Sequence, residues 1–344
     1  MAGILFQSGF DHYTTLTQRF NAVQEFNGGV ASITSNGRNS TNGFRAFSSA
    51  SAIGNGVSRV QKTLGSNAST IYMAFAFRTD ALPTSTTATE IAEVSDLGTN
   101  QCDLRIIPGG LLRVTRNGTV LATSSASLLT NIYYHIEWKI VIDNSAGSTI
   151  VKVNEVEVIN STSLDTQNTA NAYATDVYLG FWNAFPGVVR GDFDDFVVRD
   201  DGFSGDCSVV ALLPTGIGST NQWTATGAAT TREAVDETPP NSDTDYIQTA
   251  NITDLSLFTY PTISVLATIV AVIPIPFAKK TAAGVTQIKS VVRSGGANYA
   301  GVAKSPSDGS YEFHPDILMV NPATGVAFTA AEWNAIEVGV QRNA

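Results

Sequence analysis

The sequence predicts an almost entirely β-structured protein built from two antiparallel sandwiches. Short segments with alternating apolar and polar residues recur along the chain, separated by turns rich in Gly, Asn and Ser, as is typical of antiparallel sheets. No long window repeats apolar residues at helical spacing with a cap at each end. Because crossover helices are missing, a parallel βαβ architecture is excluded. A chain of 344 residues also exceeds what one hydrophobic core usually serves, so two domains are expected.

Several strands and turns of the first domain can be placed individually. Residues 71–78 put alternate apolar side chains on one face, which indicates a strand. Pro108-Gly109-Gly110 is expected to join two strands as a hairpin. Asn117-Gly118 is expected to form a tight turn because both residues tolerate positive φ. Further strands are predicted over residues 134–142, 149–159, 176–182 and 193–198.

The border between the domains is predicted near Gly202, where the chain becomes acidic and rich in Gly. We predict a first sandwich over residues 1–203, an extended linker over 204–244 that packs on the sandwiches, and a second sandwich over 245–344. Strands of the second domain are predicted over residues 246–248, 255–260, 263–277, 285–292, 299–303, 310–313 and 335–340. Residues 329–334 are expected to form a single helical turn before the last strand.

Composition excludes several classes of function. The net charge of −10 and the scattered basic residues argue against nucleic acid as a partner, because phosphate binding needs clustered Lys and Arg. The longest apolar run, Ile263–Ala278, has 16 residues and contains two prolines, whereas a membrane helix needs about 20 apolar residues. The first residues lack the basic segment of a signal peptide, so synthesis in the cytoplasm without export is expected.

The two cysteines, Cys102 and Cys207, are expected to be free thiols. They form no CxxC motif and have no neighbouring His in the sequence, so a zinc site is not indicated. We predict that the protein needs no cofactor.

The order of motifs in the first domain resembles the concanavalin A-like, laminin G-like jelly roll over about residues 1–200. The motifs are a strand containing Trp138, a Val153-Asn154-Glu155 turn, Asp176–Gly180, and the closing strand Gly191–Val198. The family usually has Val-Asn-Gly at that turn, so the absence of Gly suggests a differently shaped turn. The resemblance implies a jelly-roll sandwich for the first domain, and both antiparallel sandwiches are expected to be of the jelly-roll class.

A second resemblance extends over the whole chain. Phe10–Tyr13, Gly205–Pro214, Asp243–Tyr246 and Pro322–Val340 look like segments of virion proteins of tailed bacteriophages. This resemblance implies a non-enzymatic structural component of the virion, either a head decoration or a tail-associated protein. Its partners would be other capsid or tail proteins, and its location the virion.

A carbohydrate-binding adhesion module that contacts a host glycan is the second functional hypothesis. The residues Trp182, Asn183 and Phe185 follow a strand and are expected in a rim loop, with Asp192 nearby. Sugar-binding jelly rolls place such aromatic rings against a sugar beside Asn and Asp side chains. Alternatively, Trp182 or Phe185 packs over the end of the sandwich.

A glycoside hydrolase or lyase is the third hypothesis. On a strand, Asp192 and Asp194 share a face, and paired carboxylates are what glycoside hydrolysis needs. Concanavalin-like glycosidases typically carry a Glu-x-Asp-x-x-Glu strand, which we do not find in this sequence, so no catalytic residue is assigned and the protein is predicted not to be an enzyme. Asp194 and Asp195 either accept hydrogen bonds from neighbouring backbone or bind calcium.

Self-association is predicted from Ile263–Ala278, which reads as a strand with two apolar faces. Leu266, Val270 and Val272 lie on one face of this predicted strand, and a strand that is apolar on both sides must be covered on both. We expect a homo-oligomer, with a trimer as the first candidate. The competing explanation is that residues 213–244, anchored by Trp223, cover the strand within the same chain.

Overall fold

The computed structural model describes residues 3–50, 56–84, 88–184, 187–264, 266–281 and 284–344. The chain divides into two compact units, Met1–Val210 and Ala211–Ala344. Strands make up 51% of the chain and helices 5%, which confirms the all-β prediction.

The first unit contains long strands throughout. They are β1 (Ile4–Ser8), β2 (Ala22–Phe26), β3 (Gly29–Thr34), β4 (Gly43–Ala50), β5 (Gly56–Ala68), β6 (Thr70–Thr79), β7 (Thr89–Asp96), β8 (Thr99–Ile106), β9 (Leu111–Arg116), β10 (Thr119–Ser127), β11 (Tyr134–Val141), β12 (Gly147–Val153), β13 (Val156–Leu164), β14 (Ala174–Ala184) and β15 (Gly187–Arg199).

These strands form two antiparallel sheets. The eight-stranded sheet has the order β13-β12-β11-β6-β15-β4-β3, with β1 also pairing with β15. The seven-stranded sheet has the order β10-β9-β8-β7-β14-β5-β2. Many neighbours in space are distant in sequence, as in a jelly roll, and the predicted sandwich is confirmed.

The core of this sandwich is a cluster of aromatic rings around Phe193. The ring centroid of Phe193 lies 5.5 Å from Phe44, 4.9 Å from Phe77 and 6.1 Å from Phe181. Phe181 belongs to the seven-stranded sheet and the other three to the eight-stranded sheet. All four side chains are at most 1% exposed. The inner faces of both sheets therefore meet at these rings.

Two tight turns show how local sequence sets the register. Asn117 and Gly118 have φ of 44° and 84° and join β9 to β10, as predicted. Asn154 and Glu155 have φ of 48° and 67° between β12 and β13, so this turn keeps the same shape without Gly and the expectation of a different shape is wrong. The Asn154 carboxamide accepts a hydrogen bond from the backbone of His135 at 2.9 Å, which holds the turn in place.

The second unit is built on a five-stranded antiparallel sheet with two short strand pairs. Its strands are β16 (Gly216–Asn221), β17 (Thr224–Thr226), β18 (Tyr246–Gln248), β19 (Leu255–Thr259), β20 (Phe277–Ala278), β21 (Ile288–Ser294), β22 (Ala297–Ala300), β23 (Glu312–Phe313) and β24 (Glu337–Arg342). The five-stranded sheet has the order β16-β19-β24-β21-β22, while β17 pairs with β18 and β20 with β23. Val292 and Val338 pack with Phe328 and Ile336 in its core.

Part of the predicted linker is integrated into this second unit. β16 pairs with β19, and the backbone of Trp223 donates to the Ser256 hydroxyl at 3.0 Å. The indole Nε1 of Trp223 donates to the carbonyl of Asp254 at 2.9 Å. Within residues 211–244, β16 and β17 are thus strands of the second unit, which the spacing of Thr, Gly and Pro did not indicate.

The long strand predicted over residues 263–277 is wrong. Among the described residues of this stretch, 263–264 and 266–277, the structure has only the start of β20 and an isolated bridge between Val272 and Leu318. Pro274 and Pro276 lack a backbone N–H, so they only accept hydrogen bonds, from Asp316 and His314.

The proposed interface residues therefore do not share one strand face. Leu266 is 90% exposed, Val270 is half-buried, and Val272 packs in the core of the second unit. Burial of Val272 within its own unit removes one of the reasons for a covering subunit. Self-association stays a prediction.

Helices are short. The turns Leu16–Gln18, Arg38–Ser40, Pro108–Gly110 and Glu233–Val235 are 3₁₀, and α1 spans Ala330–Trp333. Thr329 and Glu332 form a capping box at α1, so the predicted single turn is confirmed. In the described part of the chain, no helix is long and apolar enough to cross a membrane.

We predict that Phe193→Ala destabilises the protein by about 3–5 kcal/mol, because it opens a cavity among the core rings. Urea unfolding measures the free energy of unfolding of this variant and of a control. Phe26→Ala is the control, since Phe26 is 57% exposed and its removal should cost less than about 0.5 kcal/mol. Equal losses for the two variants would contradict the placement of the core.

Candidate functional site

The outer face of the seven-stranded sheet carries a row of polar and aromatic side chains. Trp182 of β14 pairs with Glu90 of β7, Glu90 with Arg105 of β8, and Arg105 with Arg113 of β9. Residues directly opposite on neighbouring strands point to the same side of a sheet. We call Trp182, Glu90, Arg105 and Arg113 the polar row. Trp182, Arg105 and Arg113 are partly exposed, whereas Glu90 is buried.

Arg59 of β5 lies beside this row between two aromatic rings. Its guanidinium carbon is 4.0 Å from the ring centroid of Tyr178 and 4.2 Å from that of Trp182. Gly180 stands between these two residues on β14 and faces Arg59 across the strands. A Cβ at Gly180 would lie 2.7 Å from the Cα of Arg59 and 2.5 Å from the carbonyl oxygen of Ser58. Glycine is therefore required here for β14 to lie this close to the backbone of β5.

Arg59 also joins two buried carboxyl groups. Its Nη1 donates to Glu90 Oε1 at 2.7 Å and to Glu93 Oε2 at 2.6 Å. Its Nε donates to Gln24 Oε1 at 2.7 Å. Glu90 and Glu93 are 2% and 4% exposed, and Arg59 is 6% exposed. One guanidinium thus holds both carboxyl groups in place, with a β-bulge between Glu90 and Ala92 bringing the two glutamates to the same face.

Glu90 has a raised proton affinity. Burial raises the pKa of Glu90 well above its usual range, and the charges of Glu93 and Asp103 raise it further against the opposing effect of Arg59. Two close carboxylates in a buried site cannot both ionise easily. Glu90 is therefore the carboxyl group of this face that is best suited to hold and donate a proton.

Asp103 fixes the next part of the face. It is fully buried and accepts hydrogen bonds from Arg105, from the Thr115 hydroxyl at 2.6 Å and from the Asn100 amide at 3.2 Å. Both Nε and Nη2 of Arg105 bind this carboxylate. The orientation of Arg105 in the polar row is set by this fork-like contact.

The predicted glycan-binding residues do not come together as one site. Trp182 lies within β14 rather than in a rim loop, because the strand continues to Ala184. A bulge at Asn183, whose φ is 55°, interrupts the pairing without ending the strand. Phe185 lies outside the described residues. Asp192 is on β15 of the other sheet, where it binds Arg45 through Nε at 2.7 Å and also Arg78. The structure therefore places Trp182 and Asp192 on opposite outer faces of the sandwich.

Asp194 and Asp195 accept hydrogen bonds from the protein itself. Asp194 accepts from the backbone of Arg38 at 2.8 Å and from the Thr41 hydroxyl at 2.9 Å. Asp195 accepts from the backbone of Val209 at 2.7 Å. These contacts correspond to the backbone-binding alternative and tie two loops to β15.

Within the described ranges, no group of three or more His, Cys, Asp and Glu side chains is arranged to hold a metal ion. This includes the calcium candidates Asp194 and Asp195: Asp194 Oδ2 and Asp195 Oδ1 accept hydrogen bonds from backbone and hydroxyl donors, and Asp195 Oδ2 lies 3.7 Å from Nη1 of Arg38. Cys102 and Cys207 are both free.

The sequence analysis missed Arg59, Glu90 and Glu93, and did not assign Arg105 or Arg113 to a site. The available signal was the recurrence of charged residues at the outward positions of successive strands. A single outward charge on a strand is usually solvated surface, so only the sheet order distinguishes this cluster from an ordinary surface.

Comparisons with known proteins give fold relatives only. No family model and no curated protein matches this chain. Similar solved structures include the cellulose induced protein Cip1, at 13% identity and TM-score 0.42, covering 56% of this chain and 96% of that one. The alginate lyase Aly36B has 13% identity and TM-score 0.38, covering 59% and 98%. A GH131 β-glucanase catalytic domain from Podospora anserina has 11% identity and TM-score 0.39, covering 58% and 97%.

This finding corrects two expectations from the sequence. The non-enzymatic virion role is overturned, since the similar structures are polysaccharide lyases and domains of glycoside hydrolases. The expectation that the chain is not an enzyme is overturned by the same catalytic domains. The sandwich part of the resemblance is confirmed, and the bacteriophage part has no support. Because these likenesses concern the fold alone, an activity for this chain has to follow from its own residues.

We predict that the protein becomes less stable as the pH rises from about 6.5 to about 8.5, above the range in which the three histidines, whose pKa values are lowered by burial, have the opposite effect. Burial raises the pKa of Asp194 to about 8 and that of Asp195 to about 6, from 3.8 for both. The folded state therefore binds more protons than the unfolded state in this range, and this stabilisation is lost as pH rises through the two folded-state values.

Urea unfolding at several pH values measures this loss. Asp194→Asn should flatten the upper part of the pH dependence, because position 194 no longer titrates. Asp165→Asn serves as the control, since the Asp165 side chain is 46% exposed. Stability that increases between pH 6.5 and 8.5 would be incompatible with buried, protonated aspartates.

Proposed function

We propose that the outer face of the seven-stranded sheet binds a polysaccharide along the polar row. The observation that supports this is the row itself, in which an indole, a carboxyl group and two guanidinium groups face outward on four adjacent strands. Strands lie about 4.8 Å apart, so the row spans roughly 14 Å, enough for several sugar rings.

The chemistry of the row suits sugars. An aromatic ring such as Trp182 offers an apolar surface to the C–H face of a sugar ring. The Arg105 and Arg113 guanidinium groups supply several fixed donors to ring and hydroxyl oxygens. Arg59 and Asp103 hold Trp182 and Arg105 from below, so the binding groups are preorganised before the ligand arrives.

Trp182→Ala should weaken polysaccharide binding about three- to tenfold, because the stacking surface is removed. Isothermal titration calorimetry against a panel of neutral and acidic polysaccharides measures the affinity. Tyr72→Ala is a matched control, since Tyr72 is a partly buried aromatic residue on β6 of the other sheet. Wild-type protein that binds no member of the panel would refute the proposed function.

Cleavage of the bound polysaccharide is a second candidate function, favoured by the pair of Glu90 and Glu93. In hydrolysis, the Glu90 proton would pass to the glycosidic oxygen as the bond from that oxygen to the anomeric carbon breaks. Glu93 would attack the anomeric carbon and form a glycosyl ester, because two carboxyl groups bound by one Nη1 at 2.7 and 2.6 Å are too close for a water between them. Water would then hydrolyse this ester and return its proton to Glu90, which releases Glu93. A close pair of carboxyl groups that act as acid and nucleophile is the usual arrangement for hydrolysis with retention. Binding is proposed first because Glu90 is only 2% exposed.

Glu90→Gln should lower the release of reducing ends by at least about 100-fold while binding is retained, because the amide cannot donate an acidic proton. Wild-type activity should also fall as pH rises through the raised pKa of Glu90. Glu157→Gln, at an exposed position on β13, should leave activity unchanged. Full activity in Glu90→Gln, or no release by the wild type, would exclude cleavage through this pair.

A further inference from the structure

Arg105 and Arg113 stand directly opposite each other on β8 and β9. Like charges at opposed positions destabilise a sheet. The charge of Arg105 is compensated, because its guanidinium binds the Asp103 carboxylate through Nε and Nη2. The Asp103 carboxylate is therefore the counter-ion of Arg105.

Arg113 has no such partner within the described residues. No carboxylate forms an ion pair with it, and its buried Nε makes no hydrogen bond. An unsatisfied buried donor on a charged group costs free energy. The chain has 30 acidic and 20 basic residues, so carboxylates are abundant, yet none is placed beside Arg113. The side chain is also partly exposed, so a ligand can reach it.

We propose that the polysaccharide bound by this face is acidic, and that Arg113 binds the carboxylate of a uronic acid unit. This inference rests on the proposed polysaccharide binding and adds the class of the ligand. A carboxylate is planar and matches the two parallel N–H groups of a guanidinium. Arg105 lies opposite, and its Nη1, which is not bound to Asp103, is a further donor at the same point of the row.

The surrounding groups are compatible with a negatively charged ligand. Asp103 is neutralised by Arg105, and Glu93 by Arg59. Burial raises the pKa of Glu90, and its Oε1 accepts a hydrogen bond from Arg59, so this neighbour of Arg105 repels a carboxylate less than an exposed glutamate would. The free positive charge on this part of the face is that of Arg113.

The test compares each acidic polymer with a neutral form of the same backbone. Polygalacturonate and polyglucuronate are each titrated into the full-length protein alongside their carboxyl-reduced, neutral forms. The acidic polymers should bind about tenfold to a hundredfold more tightly, as expected for hydrogen bonds to a charged group. Dextran sulfate is included to separate sulfate from carboxylate recognition.

Variants locate the preference. Arg113→Gln should abolish the difference between the acidic and neutral polymers, and Arg113→Lys should restore part of it because the charge returns without the fork. Arg190→Gln removes an arginine that is 46% exposed on β15 of the other sheet, and should change nothing. Thermal unfolding of each variant confirms that it is folded.

Each remaining outcome is decisive. Equal affinity for acidic and neutral forms, or an unchanged preference in Arg113→Gln, would overturn the carboxylate assignment while leaving polysaccharide binding intact. If only dextran sulfate binds, the ligand group of Arg113 is a sulfate and the carboxylate assignment is also overturned. Absence of binding to every polymer would remove both the inference and the proposed function.

Discussion

The ring cluster around Phe193 fixes which side of each strand faces the core of the first unit. Phe181 from one sheet and Phe44 and Phe77 from the other meet this ring, and all are almost completely buried. Since side chains alternate along a strand, burial of one set forces the other set outward. The positions of Tyr178 and Trp182 on the outer face follow directly from the burial of Phe181. A one-residue slip of β14 would exchange core and surface.

Arg59 is the point where the outer face differs from an ordinary solvated surface. A buried ion pair costs desolvation free energy, which is offset only when the remaining hydrogen bonds are made. Here the guanidinium binds two glutamates and Gln24 and lies against two rings. This arrangement keeps the carboxyl groups of Glu90 and Glu93 buried and close together. Among the described residues, the compensation seen in Asp103 and Arg105 is absent from Arg113, which leaves this end of the polar row with an unpaired positive charge.

Local sequence patterns predicted the sandwich but only a small part of the candidate site. Alternation located β6 and β11, and Asn117-Gly118 located a hairpin, because these features depend on neighbouring residues. Trp182 was recognisable as an aromatic residue near a strand end, but the bulge at Asn183 that keeps it within β14 has no local signature. Arg59 and Glu90 are 31 positions apart in the sequence. They meet because β5 and β7 lie on either side of β14 in the sheet. That order is set by long-range pairing, which alternation alone does not encode.

The prolines at 274 and 276 have a consequence for how this chain behaves at high concentration. The apolar run around them would otherwise be a template for intermolecular strand addition, since exposed apolar strands pair readily with one another. Pro274 and Pro276 have no backbone N–H to donate. Their carbonyl oxygens already accept hydrogen bonds from the backbone N–H groups of Asp316 and His314. An approaching strand finds neither donors nor free acceptors at these residues. The most hydrophobic segment of the chain is thereby protected against fibril growth by its own backbone chemistry.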